Sequence, residues 1–368
     1  LGWRISEEEF FKDNVSFINE LKFRYGFGIT GNQEIDNNAI FNVYVTDYPN
    51  TAYDIDGSKT GNLPSGYKLI QNANPNLKWE ESMMSNFGLD FELFNQKLYG
   101  SAEYYIKETS DILILPPYIA TLGEGGNQFI NGASMENKGF ELSLGKRSSF
   151  SNELQVDLNA NISLYKNKIT KLPSEVINAY GGNGADQNIL GRPVNSFYGY
   201  VADGLFRSEE EVVQHADQPG KDIGRIRYSD LNGDGVVNAD DQTWIGAPHP
   251  DFTYGFNANV SYKNFDLSFL LQGVSGIDVI NDFKYSTDFW SVSETGSNKA
   301  TRLLDAYSPT NTNSSIPAIS LTDSNFESRF STYFVENGSY LKVRNAQLGY
   351  SFEEDLIKKW GMKSMRIY

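Results

Sequence analysis

The chain has 368 residues, a formal net charge of −16 and no cysteine, and 14% of its residues are aromatic. The negative charge argues against a nucleic-acid-binding protein, which needs clustered Lys and Arg for its phosphate contacts. The missing cysteine excludes disulfides and thiolate metal sites. No stretch reaches the roughly 18 to 20 continuous apolar residues of a membrane helix. Transmembrane β-strands escape that test, because they alternate apolar and polar residues.

Period-two alternation is the strongest local pattern and predicts β-strands with one apolar and one polar face. In the clearest case, apolar residues from Leu154 to Leu164 face one side and polar residues from Gln155 to Ser163 face the other. In chain order, the predicted strands lie at 21–29, 83–94, 98–107, 137–146, 154–165, 252–263, 265–272 and 340–352, and a ninth begins at 365–368.

The predicted connections alternate between long and short. Long ones lie at about 31–82, 110–136, 166–251 and 273–339, and short ones at 95–97, 147–153, around 264 and at 353–363. A barrel in the bacterial outer membrane has long extracellular loops and short periplasmic turns. Several strands have the length of a tilted membrane-spanning strand, and tyrosines crowd the strand ends, as in interfacial girdles. We therefore predict an all-β fold, an antiparallel transmembrane β-barrel.

Nine strands, the last cut off at Tyr368, do not close such a barrel, because single-chain bacterial barrels have even numbers of strands. An open sheet would also expose unpaired edges to lipid. We therefore expect residues 1–368 to be part of a larger barrel. The alternative is a secreted or cell-surface β-sandwich that binds glycans and has a calcium-stiffened loop. It explains the alternation and the aromatics but not the long connections at one end.

An acidic turn at 230–241 carries the sharpest local motif. Its oxygen-bearing side chains have the spacing of an EF-hand-type calcium loop, with Gly235 at the sharp turn. The other interpretation is an acidic, glycine-rich turn that needs no ion. We expect a structural Ca²⁺ that stiffens the 166–251 connection. The candidate ligands are Asp230, Asn232, Asp234, the backbone carbonyl of Val236, Asn238 and Asp241.

Catalysis has little support in the sequence, and we predict that the chain is not an enzyme. The only histidines are His215 and His249, and no nucleophile-elbow motif is present. Carboxylates such as Asp90 and Glu103 are interpreted as lumen-facing polar positions rather than as a glycosidase pair. Aromatic loop residues could stack on sugar rings or simply pack the loops together. These candidate substrate contacts are Tyr180, Tyr198, Phe289 and Trp290.

Six segments resemble, in order, one family: the SusC/RagA-type TonB-linked outer-membrane proteins of Bacteroidetes. The resemblance covers almost the whole chain. The segments are 76–80 with 86–91 (NLKWE, NFGLDF), 136–142 (ENKGFEL), 191–193 with 197–200 (GRP, FYGY), the acidic turn with 245–251 (IGAPHPD), 307–311 (YSPTN) with 316–317, and 338–345 (GSYLKVRN).

The resemblance implies a barrel of roughly 22 strands around an N-terminal plug, in the outer membrane of a Gram-negative bacterium. It implies a SusD-type surface lipoprotein as partner, energy through TonB, and oligosaccharides or peptides as substrates. The plug, the TonB-contacting segment, the earlier strands and the last strands are missing from this sequence. We therefore expect it to supply the C-terminal barrel wall and extracellular loops of a nutrient importer.

Overall fold

The computed structural model describes residues 1–35, 37–52, 57, 63–115, 127–151, 153–173, 189–289 and 298–368. The chain divides into two compact units. The first, the sheet unit, comprises Leu1–Val194, Tyr254–Gln272 and Val343–Tyr368. The second, the loop unit, comprises Asn195–Thr253 and Gly273–Lys342.

Strands dominate the secondary structure. In chain order they are β1 (Gly2–Arg4), β2 (Ile18–Asn32), β3 (Val43–Thr46), β4 (Tyr67–Gln71), β5 (Glu80–Leu93), β6 (Leu98–Ile114), β7 (Ile130–Ser149), β8 (Leu154–Lys171), β9 (Phe197–Gly199), β10 (Ala202–Leu205), β11 (Ile226–Tyr228), β12 (Thr243–Gly246), β13 (Phe252–Tyr262), β14 (Phe265–Ser275), β15 (Asp278–Ile280), β16 (Val335–Asn337), β17 (Tyr340–Ser351) and β18 (Arg366–Ile367).

Helices are short. They are α1 (Glu9–Lys12), α2 (Tyr48–Thr51), α3 (Glu209–Gln214), α4 (Phe283–Thr287) and α5 (Glu354–Lys358), with 3₁₀ turns at Ile5–Glu7, Ala239–Asp241 and Thr301–Asp305. Over the described ranges, no helix combines the length and the apolar character that crossing a membrane requires.

The sheet unit is built on one sheet of ten strands in the order β1-β2-β5-β6-β7-β8-β13-β14-β17-β18. Neighbours in the sheet therefore follow chain order, and the pairs from β1 to β8 are antiparallel. All nine predicted strands are present. The predicted count was one short, because β1 has only three residues, too few for the alternation to be recognised.

The predicted alternation of connection lengths is also present. The turn between β5 and β6 occupies four residues, and its first three, Phe94, Asn95 and Gln96, adopt the left-handed conformation with φ of 55°, 56° and 63°. By contrast, β8 and β13 are separated by 172–251, and β14 and β17 by 276–339. Long connections thus leave the sheet at one end of the strands and short turns at the other.

Strand register sorts the side chains into an apolar and a polar face. Phe23 lies opposite Leu89, and Leu89 opposite Ala102, in a row that continues through Leu142 to Ile162. Large side chains of this face remain open to the surroundings, since Phe27 is 57% exposed. Exposed apolar surface of this extent marks contact with a membrane or a partner. The apolar face thus has the exposed surface expected of the lipid-facing side of a barrel wall.

The alternative of a β-sandwich is wrong. A β-sandwich consists of two sheets packed face to face, with the strands divided between them. In the part of the chain that the structure describes, ten strands form one sheet and the remaining strands form four two-stranded sheets. The strands are also long: β7 has 20 residues, whereas strands of soluble proteins usually have about 5 to 6.

The loop unit has a hydrophobic core of its own, which the sequence did not predict. Its central cluster is formed by residues of both long connections, and Tyr228 and Phe334 within it are completely buried. Three two-stranded sheets, β10–β11, β12–β9 and β15–β16, belong to this unit. The buried members of the cluster are Leu205, Ile226, Tyr228, Val237, Phe289 and Phe334.

Candidate functional site

The polar face of the sheet carries an ion-pair cluster centred on Arg24. Its Nε donates to Asp90 at 2.7 Å and its Nη2 donates to Glu103 at 2.6 Å. Asn86 adds a hydrogen bond to Glu103 at 3.2 Å. Gly88 makes room for the guanidinium, because a Cβ there would lie 2.9 Å from Arg24 Cζ. The alternation of polar and apolar residues places these side chains on one face, but only the strand register shows that they are in contact.

Two tyrosines of β6 lie flat on the polar face. The ring of Tyr99 covers Gly145, and the ring of Tyr105 covers Gly139, each at a position where a Cβ would overlap the ring. The Tyr99 hydroxyl donates to Asp157 at 3.1 Å, across the intervening strand. These rings brace β6 against β7 and β8 without projecting from the wall.

Shallow grooves run along this face. One, of about 330 Å³, is lined by the carboxylates of Glu20, Asp90 and Glu92 together with Tyr99. The next, of about 200 Å³, is lined mainly by polar side chains: Ser101, Glu103, Glu141, Ser143, Asn161 and Ser163. Carboxylate, amide and hydroxyl groups offer hydrogen bonds to a polar solute. The face has the chemistry of a water-filled channel wall rather than of a catalytic pocket.

A buried polar network fixes the interior of the loop unit. Glu327, with its side chain 3% exposed, pairs with Arg225 at 2.9 Å and accepts the amide of Ile226 at 2.9 Å. Gln218 donates to Asn325 at 2.8 Å and accepts the amide of Tyr228 at 2.9 Å. Burial raises the pKa of Glu327, although Arg225 opposes that shift. This network ties together segments about one hundred residues apart in sequence.

The predicted aromatic contact Phe289 is a core residue instead. It is 7% exposed and its ring centroid lies 5.7 Å from that of Tyr333 and 5.9 Å from that of Phe334. In this structure the ring is buried in the core of the loop unit, as the alternative of loop packing expects. Sugar contact by Phe289 stays a prediction.

Tyr198 keeps a partly exposed position. Its ring packs edge-on against Trp244 at 5.0 Å, and its hydroxyl donates to the carbonyl of Gln242 at 3.0 Å. Sugar contact by Tyr198 stays a prediction. The other two candidates, Tyr180 and Trp290, lie outside the described residues.

The acidic turn folds into a tight, self-bonded loop. Asp230 accepts the amides of Gly233 at 2.7 Å and Gly235 at 2.9 Å. These hydrogen bonds, Gly235 first, lower the pKa of Asp230. Asp241 is completely buried and accepts the amide of Asn238 at 2.8 Å, which closes a capping box. Within the described ranges, no three Asp, Glu, His or Cys side chains are grouped to hold a metal. Calcium binding stays a prediction.

The profile of the family described as TonB dependent receptor-like, beta-barrel matches residues 46–367, which is most of the chain. This chain belongs to that family. The membership confirms the expected barrel fold and the location in the outer membrane of a Gram-negative bacterium.

Several relatives of this TonB-dependent receptor chain match over nearly its whole length. TonB-dependent receptor P3 of Formosa agariphila is 32% identical and aligns with 100% of the chain and 36% of its own length. TonB-dependent receptor SusC of Bacteroides thetaiotaomicron is 32% identical over 96% of the chain and 34% of its own length. The chain thus spans about a third of the length of these relatives.

Solved structures of transporters are also similar to this chain over nearly its whole length. The RagAB peptide transporter superposes with a TM-score of 0.72 at 25% identity, and the match covers 99% of this chain and 38% of that one. An open-open state of the RagAB peptide importer gives a TM-score of 0.73. The proteins matched are receptors and transporters, which confirms the prediction that the chain is not an enzyme.

Proposed function

We propose that this chain forms barrel wall and external loops of an outer-membrane importer for oligosaccharides or peptides, driven through TonB and covered by a SusD-like surface lipoprotein. The observation that carries the proposal is the two-faced sheet. Exposed apolar rows on one face suit lipid, while the other face presents carboxylates, hydroxyls and the Arg24 cluster to water. A wall of this kind separates a membrane from an aqueous passage.

The loop unit supports a role in ligand capture rather than simple closure of the strands. Its buried network and aromatic core hold the described parts of the long connections together, so that they can present defined surfaces. Rigid loops on a scaffold are where binding residues are commonly found. Peptides are favoured by the structural likeness to a peptide importer, and oligosaccharides by the motif resemblance to SusC-type proteins.

The substrate class is tested by deleting the gene that encodes this chain and measuring uptake by whole cells. Labelled oligosaccharides and labelled peptides of matched size are supplied separately. Loss of uptake of one class, restored by the wild-type gene, identifies the substrate. Unchanged uptake of both classes would contradict the importer proposal. Co-purification of a surface lipoprotein with a tagged chain, from detergent-extracted outer membranes, tests the partner.

We also propose that the acidic turn binds Ca²⁺, as its ligand spacing suggests. The side chains have suitable oxygen chemistry, and the hydrogen bonds that Asp230 and Asp241 accept from loop amides leave lone pairs for a cation. Calorimetric titration of Ca²⁺ into EDTA-treated protein should detect a site that Asp234→Ala removes. Glu209→Ala is the control, since Glu209 lies outside the turn. Absence of a heat signal that differs between the two variants would overturn the proposal.

A further inference from the structure

Three lysines occupy the apolar face of the sheet where β7 and β8 approach their long connections. Lys138 and Lys166 are direct cross-strand partners, two residues beyond the partner pair Phe140 and Leu164. Lys168 lies two residues farther along β8. Because side chains two residues apart share a face, all three lysines project on the lipid-facing side. We call Lys138, Lys166 and Lys168 the lysine cluster.

The cluster lies at the edge of the apolar band. On β8, outward apolar residues run from Leu154 to Leu164, a span of ten residue steps that rises about 33 Å along the strand. A strand tilt of about 45° reduces this rise to a height of about 23 Å, close to the roughly 25 Å lipid-facing band of an outer-membrane barrel. Lys166 is the next outward residue. The long connections are extracellular, so the lysine cluster lies at the headgroup level of the outer leaflet.

The lysines are drawn together by one carboxylate. Glu136 is 12% exposed, and its two oxygens lie 2.8 Å from Lys138 Nζ and 3.0 Å from Lys168 Nζ. Lys166 is exposed and forms no ion pair with the described part of the chain. Like charges directly opposite each other, as in the Lys138–Lys166 pair, destabilise a sheet unless an anion offsets them.

Local charge favours an anionic ligand. On this face the three lysines lie near two carboxylates, Glu136 and its cross-strand partner Glu108. The local net charge is therefore positive, although the net charge of the whole chain is −16. Each ammonium has three donors, and Glu136 engages only one oxygen with each of two lysines. Donors therefore remain for the oxygens of a phosphate, a group that lysine binds well.

Directly below the cluster lies an apolar surface. Tyr104, Phe140 and Leu164 are cross-strand neighbours in one row and are 41%, 41% and 37% exposed. Positive charge immediately above exposed hydrocarbon is complementary to an amphiphile with a charged head and acyl chains. A free inorganic anion would use the lysines but leave this row without an occupant.

We propose that the lysine cluster binds the phosphate of an outer-leaflet phosphorylated lipid, whose acyl chains pack on Tyr104, Phe140 and Leu164. The inference rests on the membrane placement of the sheet and not on transport. The lipid anchors this sector of the wall at its extracellular edge. Lys166 contributes most per residue, because it forms no ion pair among the residues that the structure describes.

The test uses the protein purified from outer membranes in detergent and titrated with monophosphoryl lipid A, with binding followed by native mass spectrometry. The same lipid without its phosphate and inorganic phosphate alone are the comparison ligands. Lys166→Gln should lower affinity by about fivefold, since one basic residue near an anionic surface contributes about 1 kcal/mol. Lys138→Gln and Lys168→Gln should each lower it by less, because Glu136 already pairs with both lysines. Added salt should weaken binding. Lys146→Gln is the matched control, because Lys146 faces outward on β7, the neighbour of β8, towards the short-turn end.

Fivefold weakening in K166Q with no change in K146Q, together with loss of binding on dephosphorylation, supports the proposal. Equal binding of the dephosphorylated lipid, equal effects of the two variants, or equal affinity for inorganic phosphate overturns it. Because K166Q breaks no ion pair among the described residues, it keeps the test valid if K138Q or K168Q fails to fold. The purified protein is measured without transport, so a failed uptake experiment leaves this result unaffected.

Discussion

The phenol ring of Tyr99 lies over the backbone of Gly145 on the neighbouring strand, so closely that any side chain at 145 would overlap it. The contact lets the Tyr99 hydroxyl donate to Asp157 at 3.1 Å, on the strand beyond. Asn159 donates to the same hydroxyl at 3.0 Å. One ring therefore connects β6, β7 and β8 on the polar face, and a glycine is required beneath it.

Gly145→Ala should destabilise the wall by about 1 to 3 kcal/mol, the usual cost of overpacking a filled site. The temperature at which the folded barrel loses its fast gel mobility measures this. Gly28→Ala is the control, because a Cβ at Gly28 would meet nothing within 4 Å. In a Tyr99→Ala background the Gly145 effect should vanish. Equal shifts at Gly145 and Gly28 would show that the ring contact is unimportant.

Arg24→Gln should destabilise the wall by about 1 to 3 kcal/mol, because it removes charge-assisted hydrogen bonds from Asp90 and Glu103. The same gel-mobility transition reports the loss. Lys22→Gln tests charge alone, since Lys22 shares the strand and face but has no ion pair among the described residues. Adding Glu103→Gln to Arg24→Gln should recover part of the stability, because one uncompensated carboxylate is removed. No recovery would argue against the ion-pair explanation.

The strands of the sheet could be predicted from the sequence because the pattern that marks them lies within each strand. Lipid on one side and water on the other impose alternation within each strand, so β8 could be recognised from its own residues. The partners of Arg24 could not be recognised from the sequence, because alternation assigns a side chain to a face of the sheet but does not fix the register between strands. Asp90 and Glu103 lie 66 and 79 residues away along the chain.

The loop unit was missed for a related reason. Its core joins residues from two connections, as when Arg225 pairs with Glu327, 102 residues away. Its strands have three or four residues, too short for periodicity. The sequence consequently left open whether Phe289 stacks on a sugar or packs the loops together. Nothing in a single sequence distinguishes a loop aromatic that packs inward from one that faces a ligand.

Phe289→Ala should therefore act on stability, with a loss of about 3 to 5 kcal/mol in the loop unit. Hydrogen exchange of amides in 195–253 and 273–289 measures this. Phe289→Leu should cost less, because it keeps most of the apolar volume. If Phe289 instead stacked on sugar, Leu and Ala would impair oligosaccharide binding equally and leave amide protection unchanged.

The Lys284–Glu336 pair gives the loop unit a dependence on acid pH. Hydrogen bonds from Lys284, at 2.9 Å, and Asn281, at 3.0 Å, lower the pKa of Glu336 from its ordinary value of 4.5. A carboxyl group whose pKa is lowered by folding adds stability above the unfolded pKa and loses it as pH falls through the folded pKa. Protection of β15 and β16 should thus be constant from neutral pH to about 4.5 and decline below.

Glu336→Gln should remove that contribution at neutral pH and flatten the acid dependence. The effect should be below about 1 kcal/mol, because the Glu336 side chain is 43% exposed and solvent screens the pair. Exchange rates of wild type and variant are compared at each pH, so the intrinsic pH dependence of exchange cancels. Glu209→Gln, which removes a carboxylate without a described ion pair, should follow the wild type. A wild-type–variant difference that persists unchanged down to pH values well below 4.5 would contradict the assignment.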